Sequence, residues 1–200
     1  LNLLDAVRTA ASPDATGLGV LTVLNNEIQC GRDVTKANTF RVETFRPNEL
    51  GFLGYADSDG KVVFYRAPLR RHTVDTPFMV DDMTGLPRVD IVYAYAGLDA
   101  TGVRRHLGEA TRGVVIAGVG EGNMPDAVRQ ELVALAAEGV CVVRASRADE
   151  GLVDREDEDD ANRFVAARAL NPQKARILLQ LLIASGESDP AAIQRAFDGR

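Results

Sequence analysis

The sequence predicts an α/β protein whose carboxy-terminal portion carries a parallel sheet flanked by helices. The first observation behind this is an alternation between residues 88 and 146, where RVDIVYAYA, TGVRRHLGEA, GVVIAGVG, PDAVRQELVALAAEG and VCVVRAS read in turn as strand, helix, strand, helix and strand. Strands separated by helices close a parallel sheet through right-handed crossovers. The second is the stretch APLRRHTVDTPFMVDDMTGLP, whose three prolines and missing periodicity mark a connection and split the chain in two. The third is size: 200 residues with 46% apolar content can bury one sizeable core or two small ones.

Taken in order, LNLLDAVRTAA spaces Leu3, Leu4, Val7, Ala10 and Ala11 as an amphipathic helix, which SPDATGLG breaks. GVLTVLNN reads as a short strand, EIQC as a second, and GRDVTKANTFRVETF as the polar loop it runs into. GFLGYADSDGKVVFYR predicts a hairpin with Asp59 and Gly60 at the turn. These elements make residues 1–70 part of an α/β layer, 71–87 the linker and 88–200 a second domain. Beyond the alternating region the acidic run VDREDEDD reads as a loop, followed by the apolar run FVAARAL and the helices PQKARILLQLLIA and DPAAIQRAFDG.

A net charge of -6 and a pI near 5.0 leave no basic surface for phosphates or anionic lipid, which argues against nucleic-acid and membrane partners. No stretch is apolar for long enough to span a bilayer. Cys30 and Cys141 lie in strand-like apolar runs without ligand spacing, and His72 and His106 stand alone, so no metal centre is predicted. The chain begins on Leu1 rather than on a methionine, from which a segment upstream is expected.

Three segments carry residues suited to chemistry. GRDVTKANT places Arg32, Asp33, Thr35, Lys36 and Asn38 just after a strand, where α/β sheets present functional side chains. A lysine held among hydroxyls and a carboxylate can relay a proton from a nucleophile, although composition alone favours a solvated loop with a salt bridge. GVGEGNMPDAV ends a strand in Gly118, Gly120 and Gly122, which permit close approach to the backbone, while Asn123 suits either a helix cap or a ligand contact. As a dinucleotide fingerprint GVGEGN lacks the GxGxxG spacing. The run Asp154 to Asp160 reads by composition as a solvated, mobile loop, and LNPQKAR as a strand end and helix start with Pro172 in the first turn.

Taken together, GVLTVLNNEIQCGRDVTKANTFRVETF, the following LGY, RRHTVDTPF, AGVGEGN and LNPQKARILLQL resemble the bacterial type II L-asparaginase and glutaminase-asparaginase family in order and spacing. The resemblance implies that residues 1–70 are the remaining part of an amino-terminal catalytic domain and 88–200 a smaller carboxy-terminal α/β domain. It implies hydrolysis of asparagine to aspartate and ammonia through an acyl-threonine, without metal or cofactor, in a homotetramer whose dimers share active sites. In the family a TGGT-like loop and a TDT-like motif supply the threonines, and neither motif occurs in these 200 residues. The chain alone is therefore expected to be inactive. By the same resemblance Lys36 is the catalytic lysine. Asn123 and a glutamate of the acidic loop, Glu156 before Glu158, hold the substrate's amino group in the neighbouring subunit's site. Glu121 departs from the asparagine of the family's GNGN turn and adds charge there, which bears on substrate preference. A non-catalytic oligomerisation or small-ligand domain stays open for the isolated chain. So do the choice between asparagine and glutamine, and a periplasmic or secreted against a cytoplasmic location.

Overall fold

The amphipathic pattern at the chain's start does form a helix, α1 (Asn2–Ala11), but it packs the other way round from the usual arrangement. Asp5 and Thr9 are buried, whereas Leu3, Leu4 and Val7 face outwards. Burial of the polar pair is tolerable because their groups are met locally: Thr9 Oγ1 donates to the Asp5 carbonyl at 2.8 Å, and Arg8 donates to the Asp5 carboxylate at 3.3 Å. This is a computed structural model describing residues 1–199, the side chains of residues 74 and 82 excepted. The chain divides into two units, Leu1–Thr76 and Pro77–Arg200.

In the first unit α1 is followed by β1 (Leu21–Leu24), β2 (Glu27–Cys30), β3 (Thr35–Lys36), β4 (Phe45–Arg46), β5 (Gly54–Ala56) and β6 (Val62–Phe64). Four of these make an antiparallel sheet in the order β1-β2-β5-β6, while β3 and β4 pair separately. Asn25 and Asn26 close the β1–β2 hairpin with φ of 53° and 66°. Two consecutive positive φ values are what a two-residue hairpin of matching twist needs, and asparagine tolerates them best among residues with a side chain. The predicted β5–β6 hairpin forms as well, with the Asp57 N–H donating to the Lys61 carbonyl at 2.8 Å and Gly60 at φ 86°.

The second unit runs β7 (Arg88–Tyr93), α2 (Ala100–His106), β8 (Thr111–Gly118), α3 (Asp126–Ala137), β9 (Cys141–Ser146), α4 (Asp157–Asn162), β10 (Phe164–Ala166), α5 (Pro172–Ala184) and α6 (Pro190–Asp198). Its sheet is wholly parallel, in the order β7-β8-β9-β10. Side-chain alternation along the strands feeds two cores, one on each face. Val115, Val143 and Val165 pack with Leu179, Ile193 and Phe197 of α5 and α6. Val114, Ile116 and Val142 pack with Val103, Val128 and Leu132 of α2 and α3. Burial on both faces is why these strands read as continuous apolar runs. The α/β class and the helix-flanked parallel sheet are as the alternation predicts.

Caps set the helix starts. Asp99 Oδ1 accepts from the Gly102 N–H at 2.7 Å, and Asn171 Oδ1 from the Lys174 N–H at 3.0 Å with Pro172 as the first helical residue. LNPQKAR thus builds structure. The acidic run departs from its reading as a solvated loop: it forms α4, and Asp159 turns inwards with no exposed surface. The cap reading of Asn123 is also corrected, since α3 starts three residues later, after Pro125, and without a side-chain cap.

Candidate active site

Lys36 lies in the first unit on a two-residue strand, paired in register with Phe45. The hairpin that carries it is held at both ends. At its tip Asn38 Oδ1 accepts from the N–H groups of Phe40 and Arg41 at 2.9 and 3.0 Å, and Thr44 Oγ1 donates to the Asn38 carbonyl. At its base the fully buried Gln29 of β2 donates from Nε2 to the Phe45 carbonyl at 3.0 Å, anchoring the partner strand of Lys36 to the sheet. Gln29 Oε1 is buried without a hydrogen bond among the described residues.

The Lys36 side chain is exposed, with its ammonium 5.9 Å from the centroid of the Phe45 ring. It is not held by Asp33, because that carboxylate pairs with the adjacent Arg32 at 3.0 Å. Strand pairing turns Lys36 towards Phe45, and the salt bridge that the loop's composition describes is the one between Arg32 and Asp33.

Asn123 and the acidic segment belong to the second unit and meet at the carboxyl end of its parallel strands, where such sheets place their sites. After β8 the chain makes a closed turn in which Val119 and Asn123 exchange both backbone hydrogen bonds at 2.8 Å. The turn lies so close to β8 that a Cβ on Gly118 would sit 2.2 Å from the Gly122 carbonyl carbon. A Cβ on Gly122, whose φ is +88°, would sit 2.7 Å from Arg144 Cγ. Gly118 and Gly122 therefore serve the approach of the chain to itself, whereas a Cβ on Gly120 would meet only Asn123 Nδ2, at 3.8 Å. The Asn123 side chain remains exposed.

Beneath this turn lies Arg144 of β9, whose side chain is only 1% exposed. Its Nε and Nη2 donate to the two carboxylate oxygens of Asp159 at 2.9 and 2.7 Å, a bidentate pair. Nη1 donates to the Glu121 carbonyl, Nη2 donates to the Asp154 carbonyl at 2.7 Å, and Glu156 Oε1 lies 3.3 Å from Nη2. Desolvation acts to lower the guanidinium pKa, but the Asp159 hydrogen bonds and the charges of Asp159, Glu156 and Glu121 outweigh it and raise the pKa. Asp159 also accepts from the Glu156 N–H at 2.9 Å, fixing the residue that opens α4.

The two candidate glutamates consequently differ in setting. Glu156 sits at Nη2 of Arg144, the guanidinium whose Nη1 holds the Glu121 carbonyl, whereas Glu158 pairs with Arg129 of α3 at 3.4 Å. Sequence reasoning missed Arg144 and Asp159. The available signal for Arg144 was a lone charge within the apolar run VCVVRAS. Cys30 and Cys141 are both free and half-buried, and burial pushes the Cys141 thiol up. Among the described residues no helix is long and apolar enough to cross a membrane.

Comparison with known proteins covers both units. The family model for the amino-terminal asparaginase domain matches residues 1–70, and that for the glutaminase/asparaginase C-terminal domain matches residues 88–197. L-asparaginase 2 of Escherichia coli is 44% identical over 199 residues, covering 98% of this chain and 57% of the relative. The probable periplasmic L-asparaginase of Haemophilus influenzae is 42% identical over 200 residues, covering 99% and 57%. Glutaminase-asparaginase of Pseudomonas fluorescens is 38% identical over 200 residues, covering 98% and 54%. The chain thus spans a little over half the length of these curated relatives. On both family models and these identities, the chain belongs to the glutaminase/asparaginase family.

Proposed function

We propose that these residues form part of an L-asparaginase-type amidohydrolase, whose complete chain converts asparagine to aspartate and ammonia. The observation that carries this reading is the convergence of the Glu121–Asn123 turn and Glu156 on one guanidinium at the carboxyl end of the parallel sheet. An exposed carboxamide and a half-exposed carboxylate brought to one edge suit a substrate that carries an ammonium group. Glu156 is preferred to Glu158 because Arg129 draws Glu158 towards α3.

Lys36 serves the chemistry in this reading. A threonine hydroxyl outside these 200 residues attacks the amide carbon, the amide nitrogen leaves as ammonia, and water then hydrolyses the acyl ester. Lys36 takes part in moving the proton off the attacking oxygen. Asn123 and Glu156 bind substrate in the site of a neighbouring subunit, which makes the working enzyme an oligomer, a homotetramer by family resemblance. Periplasmic export is supported by the name of the Haemophilus relative. The Pseudomonas relative's name supports testing glutamine as a second substrate.

Ammonia release by the complete protein tests the reading. Lys36→Ala is expected to lower kcat by about 10²–10⁴-fold, the range for a lost proton-transfer group, with an unchanged melting temperature because the side chain is exposed. Near-wild-type turnover would remove Lys36 from the mechanism. The 200 residues assayed alone are expected to release no ammonia, and turnover by them would place the nucleophile within this chain.

A further inference from the structure

We propose that Arg144 is a positioning residue for substrate binding, setting the Glu121–Asn123 turn and Glu156 at the spacing needed to receive an ammonium group. The inference rests on the proposed function, since it concerns how that site is held.

The argument starts from what a guanidinium can do that other side chains cannot: it offers five N–H donors in one rigid plane. Arg144 uses that plane to join three backbone segments. Nη1 faces the turn through the Glu121 carbonyl, Nη2 faces the loop before α4 through the Asp154 carbonyl, and Asp159 of α4 takes the bidentate edge. Its aliphatic stem lies directly under Gly122, where no side chain would fit. A shift of the guanidinium therefore moves Asn123 and Glu156 together.

The charges are arranged to the same end. Asp159 is fully buried and bidentate, and it answers the Arg144 charge, so the charge of Glu156 remains available to a ligand. Glu156 Oε1 lies 3.3 Å from Arg144 Nη2, the Glu156 side chain also accepts from the Asp159 N–H in a capping box, and that side chain is 43% exposed. The buried cation and the first turn of α4 thus orient the outer carboxylate while leaving much of it open to a ligand.

The test uses the complete enzyme, steady-state kinetics with asparagine and calorimetric binding of aspartate. Arg144→Lys keeps a cation but loses the planar fork, and Gly122→Ala displaces the turn from the Arg144 stem while leaving the Arg144–Asp159 pair in place. Both are expected to raise KM and the aspartate Kd about tenfold or more with kcat changed much less, the pattern of lost ground-state binding. Glu156→Gln combined with Arg144→Lys is expected to raise KM by less than the product of the single effects, because Arg144 acts through Glu156.

Asn123→Ala and Glu156→Gln serve as the reference. If neither raises KM, the assignment of the binding pair fails. If they do, while folded Arg144→Lys and Gly122→Ala both keep wild-type KM, the positioning role is overturned and the site assignment survives. A fall in melting temperature with KM unchanged likewise counts against the proposal.

Discussion

Arg144 and Asp159 place two opposite charges within the interior of a small unit, where each would be costly alone. The arrangement is tolerated because nearly every polar atom is matched: both Asp159 oxygens accept from the guanidinium, and two further N–H groups donate to the Glu121 and Asp154 carbonyls. Removing one partner leaves an uncompensated buried charge. Asp159→Ala is therefore expected to destabilise the protein by about 3–5 kcal/mol, read from urea unfolding. A loss below about 1 kcal/mol would equal that of an exposed pair and contradict the burial. At this scale the sequence was least legible. An arginine in VCVVRAS and an aspartate in EDEDD carry no periodic signal that tells an inward charge from an outward one. Lys36 and Asn123 are singled out by long-range motif resemblance instead; locally, Lys36 is exposed beside an Arg32–Asp33 salt bridge, as the loop's composition describes, whereas Asn123 does not cap α3.

Among the elements, legibility follows the strength of the hydrophobic pattern. β7, β8 and β9 are six to eight residues long, and their buried runs announce them. β3 and β4 have two residues each, too short for any alternation, so the hairpin bearing Lys36 read as loop. α4 is illegible for a different reason: four of its six residues are acidic, and it is held by a buried ion pair and the Glu156–Asp159 contact rather than by an apolar stripe. α1 is the converse case, a helix whose period is plain but whose apolar side, Leu3, Leu4 and Val7, faces solvent. Singly exposed apolar residues are ordinary, but a stripe of three on one helix marks a surface made for contact. Expressed alone, the 200 residues are expected to self-associate through this face, and Leu3→Ser with Val7→Ser to reduce that association in light scattering. Unchanged association would locate the sticky surface elsewhere.

At the scale of the whole molecule, Lys36 belongs to one unit and Asn123 and Glu156 to the other, and the proposed function assigns them to the sites of different subunits. That assignment makes a quantitative demand on the oligomer. Lys36→Ala and Asn123→Ala subunits are each defective, but when they assemble together some sites combine an intact lysine from one subunit with an intact asparagine from its neighbour. With random mixing, about a quarter of the sites are restored, because each of the two contributions is intact in half of the subunits. Co-expressing the two complete variants and purifying the mixed oligomer should then give activity well above either parent, in rough proportion to the restored sites. Sites built within one subunit would behave otherwise, since every subunit would carry one lesion in its own site. Mixing would then yield only the average of the parents, and sharing between subunits would be excluded while the roles of the individual residues could still hold.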